Sequence, residues 1–306
     1  MKILTSSFKW PRPLPTLAFL AAWATPWRPA FRVRARSGLS FFVNHRDAIG
    51  RHIAKYGMHE PLVTRWIAEF LDLADNALVI DVGANLGWHA LHAAKHRNVE
   101  TVVAFEPDAF NAWLLERNAA TNGLTNVILD SRCVGAEPGV ARLYRYKSSN
   151  RGRHSLTSNH GFGSSLASMT SLDGALQDLG LAGRSVALIK IDVEGYEPAV
   201  IAGARRTLER TTAVLLEHSP DWSRGGGVSV SDSLRTLTEL GFIPFVLMST
   251  GGVVRTNVAA LSEFQGSLDV IFVQAARLGE LSPALREASG MAPSLEEIAE
   301  RNKRIK

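Results

Sequence analysis

The sequence predicts an α/β protein built on a mostly parallel, seven-stranded sheet with helices on both faces. Three observations lead there. From residue 77 onward, apolar runs of strand length alternate with segments whose apolar residues recur at helical spacing. The first run, Leu78-Val79-Ile80, ends at Asp81 and passes through Gly83, Ala84 and Gly87 into a helical pattern. That is how a buried parallel strand turning tightly into a helix reads, with glycine accepting positive φ and letting a ligand approach the backbone. Finally, 306 residues that are 46% apolar and 21% charged can bury a core of one large α/β domain with additions.

Residues 1–30 read as an irregular basic extension, with five prolines and three tryptophans. Its apolar piece, Leu17–Ala24, is far shorter than the roughly 20 residues of a membrane-spanning helix. A partial signal-peptide pattern at Ala22-Trp23-Ala24 and a short interfacial helix are alternative readings of this stretch. Residues 31–76 read as an N-terminal subdomain. Phe31–Val43 alternates apolar and basic residues around Ser37-Gly38, which predicts a β-hairpin. Helices are expected over Asp47–Tyr56 and Glu60–Leu73, the second with Leu62, Trp66, Ile67, Phe70 and Leu71 on one face.

The main domain is expected over 77–275. Its strands are Leu78–Asp81, Thr101–Glu106, Asn126–Leu129, Val186–Asp192 and Ala213–Glu217, with a closing pair at Phe242–Met248 and Leu268–Val273. Helical patterns fall near 87–97, 108–121, 171–180, 197–209 and 231–240. Residues 147–167 lack periodicity and read as a long loop, a feature often tied to function inside a compact domain. Residues 276–306 read as a polar, helical tail.

The formal charge is +5, and the basic residues crowd the first 65 positions, where only Asp47 and Glu60 oppose them. This predicts at most weak contact with an anionic membrane surface, or an acidic substrate. No aromatic-and-basic nucleic-acid module is visible, so nucleic acid is not expected as a partner. One cysteine, Cys133, excludes an internal disulfide framework and a cysteine-rich zinc site, and a cytoplasmic location is the simplest expectation.

The second strand ends in Phe105-Glu106-Pro107, and Glu106 follows Gly83 by 106 − 83 = 23 residues. In nucleotide-binding α/β folds an acid at about that distance accepts hydrogen bonds from ribose hydroxyls. The fourth strand reads Leu188-Ile-Lys190-Ile-Asp192-Val-Glu194-Gly195, with charges at every second position and hence on one side. Buried charges are costly unless paired, so the pattern points to a site or an ion pair at the strand's carboxyl end. Glu217-His218 repeats the theme on the next strand. Three carboxylates together could also bind a divalent cation, although no metal ligand is assigned.

Asp81-Val-Gly-Ala-Asn85-Leu-Gly87, Phe105-Glu106-Pro107, Leu188–Gly195 and Leu216-Glu217 together resemble the FkbM family of S-adenosylmethionine-dependent methyltransferases. The likeness runs from about residue 50 to 275 and includes Gly57-Met-His-Glu60-Pro61; His89 departs from the aromatic expected near it. The resemblance implies a Rossmann-like class I methyltransferase fold and methyl transfer from S-adenosylmethionine to oxygen, with a small molecule or glycan as acceptor. It further implies that Gly83, Asn85 and Gly87, with Asp81 beneath them, border the methionine part of the cofactor, and that Glu106 holds the ribose. The 130–133 turn with Ser131 would flank adenine, and Glu60 would reach the amino group. Asp192 is the first candidate to meet the acceptor hydroxyl, with Glu194, Glu217 and His218 behind it. The loop 147–167 would be a substrate-facing lid. The alternatives are a nicotinamide-dependent oxidoreductase, although Gly-x-Gly-x-x-Gly is absent, and a binding protein that keeps the fold without turnover.

Overall fold

Residues 30–219, 229–250, 252–281, 285 and 293–303 are described by the computed structural model. The proposed extension over 1–30, apart from Ala30, and much of the tail lie outside them. The strand order of the main sheet follows from the chain's alternation. From Ala77, β3 (Ala77–Val82), β4 (Val99–Phe105) and β5 (Val127–Asp130) are laid side by side in one direction, with helices α3 (Trp88–Ala94) and α4 (Ala109–Thr121) between them. The chain then returns to the other side of β3 and adds β9 (Val186–Ile191) and β10 (Thr211–His218), both parallel. A topological switch point therefore lies between β3 and β9, where open α/β sheets place their ligands.

The closing pair adds β11 (Phe242–Leu247) and β13 (Leu268–Gln274), with β13 inserted antiparallel between β10 and β11. The sheet has eight strands rather than the expected seven, because Val253–Arg255 (β12) pairs antiparallel with β11 at the edge. Three residues with little alternation leave almost no sequence signal, so this strand was not foreseen. A second unforeseen unit is a three-stranded sheet of β6 (Cys133–Gly135), β7 (Gly139–Tyr144) and β8 (Ser164–Ser171). It absorbs the end of the expected loop, and what remains is a strap over 145–163 containing a short 3-10 turn at Arg151–Arg153.

Two apolar layers cover the sheet. On one face Val79, Leu188 and Leu215 pack with the hairpin β1 (Phe31–Arg34) and β2 (Ser40–Val43), helices α1 (Ala48–Tyr56) and α2 (Pro61–Leu71), and α3 and α4. The N-terminal elements thus share one core with the sheet. Phe41 lies 5.0 Å from the Trp88 ring and stacks on His92; its full burial contributes about 1.5–3 kcal/mol. Asn118 ties the same seam with polar bonds: its Nδ2 donates to the Leu86 carbonyl (2.9 Å), and its Oδ1 accepts from Phe42 N (2.5 Å). The opposite face packs Ile80, Ile189 and Leu216 against α5 (Leu172–Asp178), α6 (Glu197–Ala202), α7 (Arg205–Leu208) and α8 (Val230–Glu239). The expected helix over 197–209 divides at Gly203, where any Cβ would lie 2.0 Å from the Gly135 carbonyl oxygen.

Helix starts follow side-chain chemistry. Asp47 and Asp108 accept from the first free amides of α1 and α4, and Gly57 closes α1 in the left-handed region at φ 71°. Among the described residues no helix is long and apolar enough to cross a membrane.

Candidate active site

The turn after β3 holds Gly83 at φ 82° and Gly87 at φ 89°, and Asn85 shares the left-handed region at φ 51°. Gly83 has no room for a side chain, because a Cβ there would sit 1.9 Å from the Asp192 carbonyl oxygen. β3 and β9 thereby approach closely at the switch point, and Asp192 N donates to Val82 O at 3.0 Å. The Asn85 side chain supports the turn by accepting from Leu86 N at 2.6 Å.

Glu106 follows β4 and reaches back to this turn. Its two carboxylate oxygens accept from Asn85 N and Asp108 N, both at 2.8 Å. Burial pushes its carboxyl up to about 8, and the two backbone donors only partly offset that. Asp108, which the sequence reading passed over, caps α4 and faces Arg151 and His154 of the strap. Its position two residues after Glu106, directly before a helical pattern, was the available signal.

The register of the parallel pair places Asp81 of β3 beside Lys190 of β9. Lys190 Nζ lies 3.4 Å from Asp81 Oδ1 and 3.3 Å from Asp192 Oδ2. Burial by itself lowers the Lys190 pKa, but the fields of Asp81, Asp192 and Glu60 outweigh it and hold the ammonium above its ordinary range. Asp81 is 2% exposed, whereas the Asp192 side chain is 31% exposed and lines the cleft. Glu60 arrives from the start of α2 with backbone φ 40°, uncommon for a non-glycine residue. Its carboxylate meets His89 Nε2 at 2.9 Å and His59 Nε2 at 3.6 Å. His89, the departure from the family pattern, is therefore the partner of Glu60.

The alternation expected for strand four stops early. β9 ends at Ile191, and Glu194 and Gly195 turn left-handed at φ 52° and 98°. Glu194 consequently leaves the Lys190 side and faces the strap, with its carboxylate 3.7 Å from Arg153 Nε and its carbonyl accepting from Ser155 Oγ. Burial, followed by the nearby Asp192 charge, pushes its carboxyl up to about 8. Glu197, not anticipated, clasps the same turn by accepting from Val193 N and Gly195 N, and burial raises it to about 7.

Glu217 and His218 lie apart from this arrangement. As neighbours on one strand they face opposite sides of the sheet. Glu217 accepts from Ser267 Oγ at 2.9 Å, while His218 Nε2 bonds the Leu261 carbonyl and its ring stacks on Phe264. Neither is among the residues that line the cleft, and burial keeps the His218 imidazole below its ordinary pKa. Ser131 is exposed; from its turn, Arg132 and Cys133 reach the cleft instead. Arg132 is held by Asp130 and Asp178. Among the described residues no group of three or more His, Cys, Asp or Glu side chains is arranged to hold a metal ion; Lys190 occupies the space between two of the candidate carboxylates.

The cleft itself is bordered by Gly83, Asn85, Glu106, Cys133 and Asp192, and the strap closes it with Arg151, Gly152 and His154. Arg151 N donates to Asp47 Oδ1 at 2.6 Å, and its guanidinium lies over the Phe110 ring.

The profile of the methyltransferase FkbM domain matches residues 81–244, more than half of the chain. The chain belongs to the FkbM methyltransferase family. The match takes in the glycine turn, Glu106, and the Lys190–Gly195 segment, the residues that meet at the switch point. The strand order with an inserted reversed strand gives this FkbM member the Rossmann-like methyltransferase fold. Solved structures of similar shape include precorrin-6y C5,15-methyltransferase from Geobacter metallireducens GS-15, at 12% identity and TM-score 0.41, covering 71% of this chain and 90% of that one. An S-adenosylmethionine-dependent O-methyltransferase from Thermotoga maritima matches at 13% identity and TM-score 0.39, covering 80% and 78%. An S-adenosylmethionine-dependent methyltransferase from Agrobacterium tumefaciens matches at 11% and 0.44, covering 80% and 70%. No curated protein sequence matches the chain.

Proposed function

We propose that this FkbM-family methyltransferase transfers the methyl group of S-adenosylmethionine to a hydroxyl oxygen of a small molecule or glycan. The observation that carries the reading is the juxtaposition, at one switch point, of a close-packed glycine turn, a buried ribose-type acid and a carboxylate open to the same cleft. The donor set suits the cofactor. Gly83, Asn85 and Gly87 would border its methionine part, Glu106 would accept from ribose hydroxyls, and the 130–133 turn would flank adenine. When bound, the cofactor supplies an activated methyl group on a cationic sulfur.

The electrostatics support that ligand. Asp81, Asp192 and Glu60 set three carboxylates against the one ammonium of Lys190, and this excess of negative charge favours a cation beside it. Glu60 and Asp81 act here through His89 and Lys190, holding the field rather than reaching outward. Asp192 would take the acceptor's hydroxyl proton, a role supported by its lining the cleft where Asp81 and Lys190 do not. Glu194, raised to about 8, is the second candidate base. The strap serves as a lid over this open cleft, whose space beneath Arg151, Gly152 and His154 is about 60 Å³. In this reading the strap moves aside to admit the nucleoside. A cytoplasmic location belongs to the same reading, since it asks for no disulfide and the chain has a single cysteine, Cys133.

Calorimetry with S-adenosylmethionine and, separately, NAD tests the cofactor. Heat is expected with the first only, and Glu106→Ala should abolish it. A product assay over hydroxyl-bearing acceptors tests the chemistry, with Asp192→Asn expected to lower kcat by about 10²–10⁴-fold. Full activity in that variant would remove Asp192 from the role.

A further inference from the structure

A second cavity, of about 170 Å³, opens between the β1–β2 turn, the start of α2 and helix α3, and it shares no lining residue with the cofactor cleft. Its floor is apolar and buried, formed by Met58, Ile67, Leu71 and Trp88. Its rim is cationic. Its cations are Lys95, which is exposed, and Arg36, which is half-buried and donates Nε to the Tyr56 carbonyl at 2.8 Å; His96 at the same rim faces Asp72, with Nε2 3.1 Å from Oδ1, and among the described residues no carboxylate lines the cavity itself. Two further polar atoms at residues of this wall, Ser37 Oγ and His92 Nε2, are buried without a hydrogen-bond partner. Both atoms are closed off from the cavity as well as from solvent, so the polar contacts open to a ligand are those of the rim. The Lys95 ammonium gives one hydrogen bond, to Ser37 O at 2.9 Å, and has two more donors to offer.

We propose that this cavity is a second small-molecule site, which takes an apolar group terminated by an anion. The volume sets the size. A dry apolar cavity of ~150 Å³ holds benzene, so the apolar part spans roughly six to eight carbon atoms. The charge sets the head: a carboxylate or phosphate at the rim meets Lys95 and Arg36, while a cationic head beside these two meets like charge. The site reaches the methyl-transfer end through His59, which lines the cavity and contacts Glu60, the partner of His89. None of this depends on which acceptor the enzyme methylates.

The test is calorimetry on the full-length protein with octanoate, octyl phosphate, octanol and octyltrimethylammonium. Octanoate or octyl phosphate should bind about tenfold more tightly than octanol, and the tighter of the two identifies the head. Octyltrimethylammonium should not bind. Ala68→Trp, which projects a large side chain from the half-buried wall, should abolish binding of all three ligands. Lys95→Glu should weaken the anions about fivefold or more and leave octanol unchanged. Both variants should retain S-adenosylmethionine affinity within about twofold, which shows that they are folded and separates this site from the cofactor cleft. Octanol binding as tightly as both anions, or octanoate binding that survives Ala68→Trp, would overturn the assignment, as would the absence of binding by either anion.

Discussion

Replacing Lys190 by methionine removes the ammonium from the buried ion line and keeps an unbranched side chain of similar volume. In the native chain that ammonium lies 3.4 Å from Asp81 Oδ1 and 3.3 Å from Asp192 Oδ2. Asp81 is 2% exposed, and neither of its carboxylate oxygens accepts a hydrogen bond. Among the described residues its charge is therefore compensated by Lys190 alone. Removing one partner of such a pair strands the other and costs about 3–5 kcal/mol. Asp192 adds little to the loss, because its side chain is 31% exposed and water screens it. A loss of about 3 kcal/mol should lower Tm by roughly 6–12 °C. Urea denaturation followed by tryptophan fluorescence measures it directly. The decisive comparison is the double variant Asp81→Asn with Lys190→Met, which leaves no buried charge and should regain about 2 kcal/mol relative to the single variant. A single variant that costs less than about 1 kcal/mol, or a double variant no more stable than the single, would refute the claim that Lys190 compensates the buried Asp81 charge.

Three other outcomes follow from the same geometry. Because burial holds the Glu106 carboxyl near 8 and ribose hydroxyls donate to its ionised form, S-adenosylmethionine should bind more tightly as pH rises from 6 to 8.5; calorimetry on Glu106→Gln should show a flat and weaker profile. Gly83→Ala forces a side chain into the Asp192 carbonyl at a φ of 82°, so loss of more than about 2 kcal/mol of stability and of cofactor binding is expected by thermal melts and calorimetry. Glu197 is protonated in the folded chain up to about pH 7 but ionises near 4.3 when unfolded, so it contributes stability that is present below pH 4 and lost as pH rises to 7. Glu197→Gln should make the fall in urea midpoint between pH 5 and 8 visibly shallower, and an unchanged slope would remove Glu197 as a source.

The sheet's main strands, their alternation with helices and the site at their carboxyl ends were legible in the sequence, because period and glycine placement are local properties. Gly83, Glu106 and Lys190 could be singled out for the same reason: each breaks the apolar run that a buried strand otherwise maintains. Local signals also explain the losses. The short strands Cys133–Gly135 and Val253–Arg255 exist only because partners elsewhere supply their hydrogen bonds. What tertiary structure alone decided is the grouping of charges. The parallel register set Asp81 beside Lys190, the left-handed turn at Glu194 sent that carboxylate to Arg153, and strand parity sent His218 to Leu261 and Phe264. The sequence determined which residues were costly to bury; the fold determined which of them would share one dielectric, and with which partner each would offset that cost.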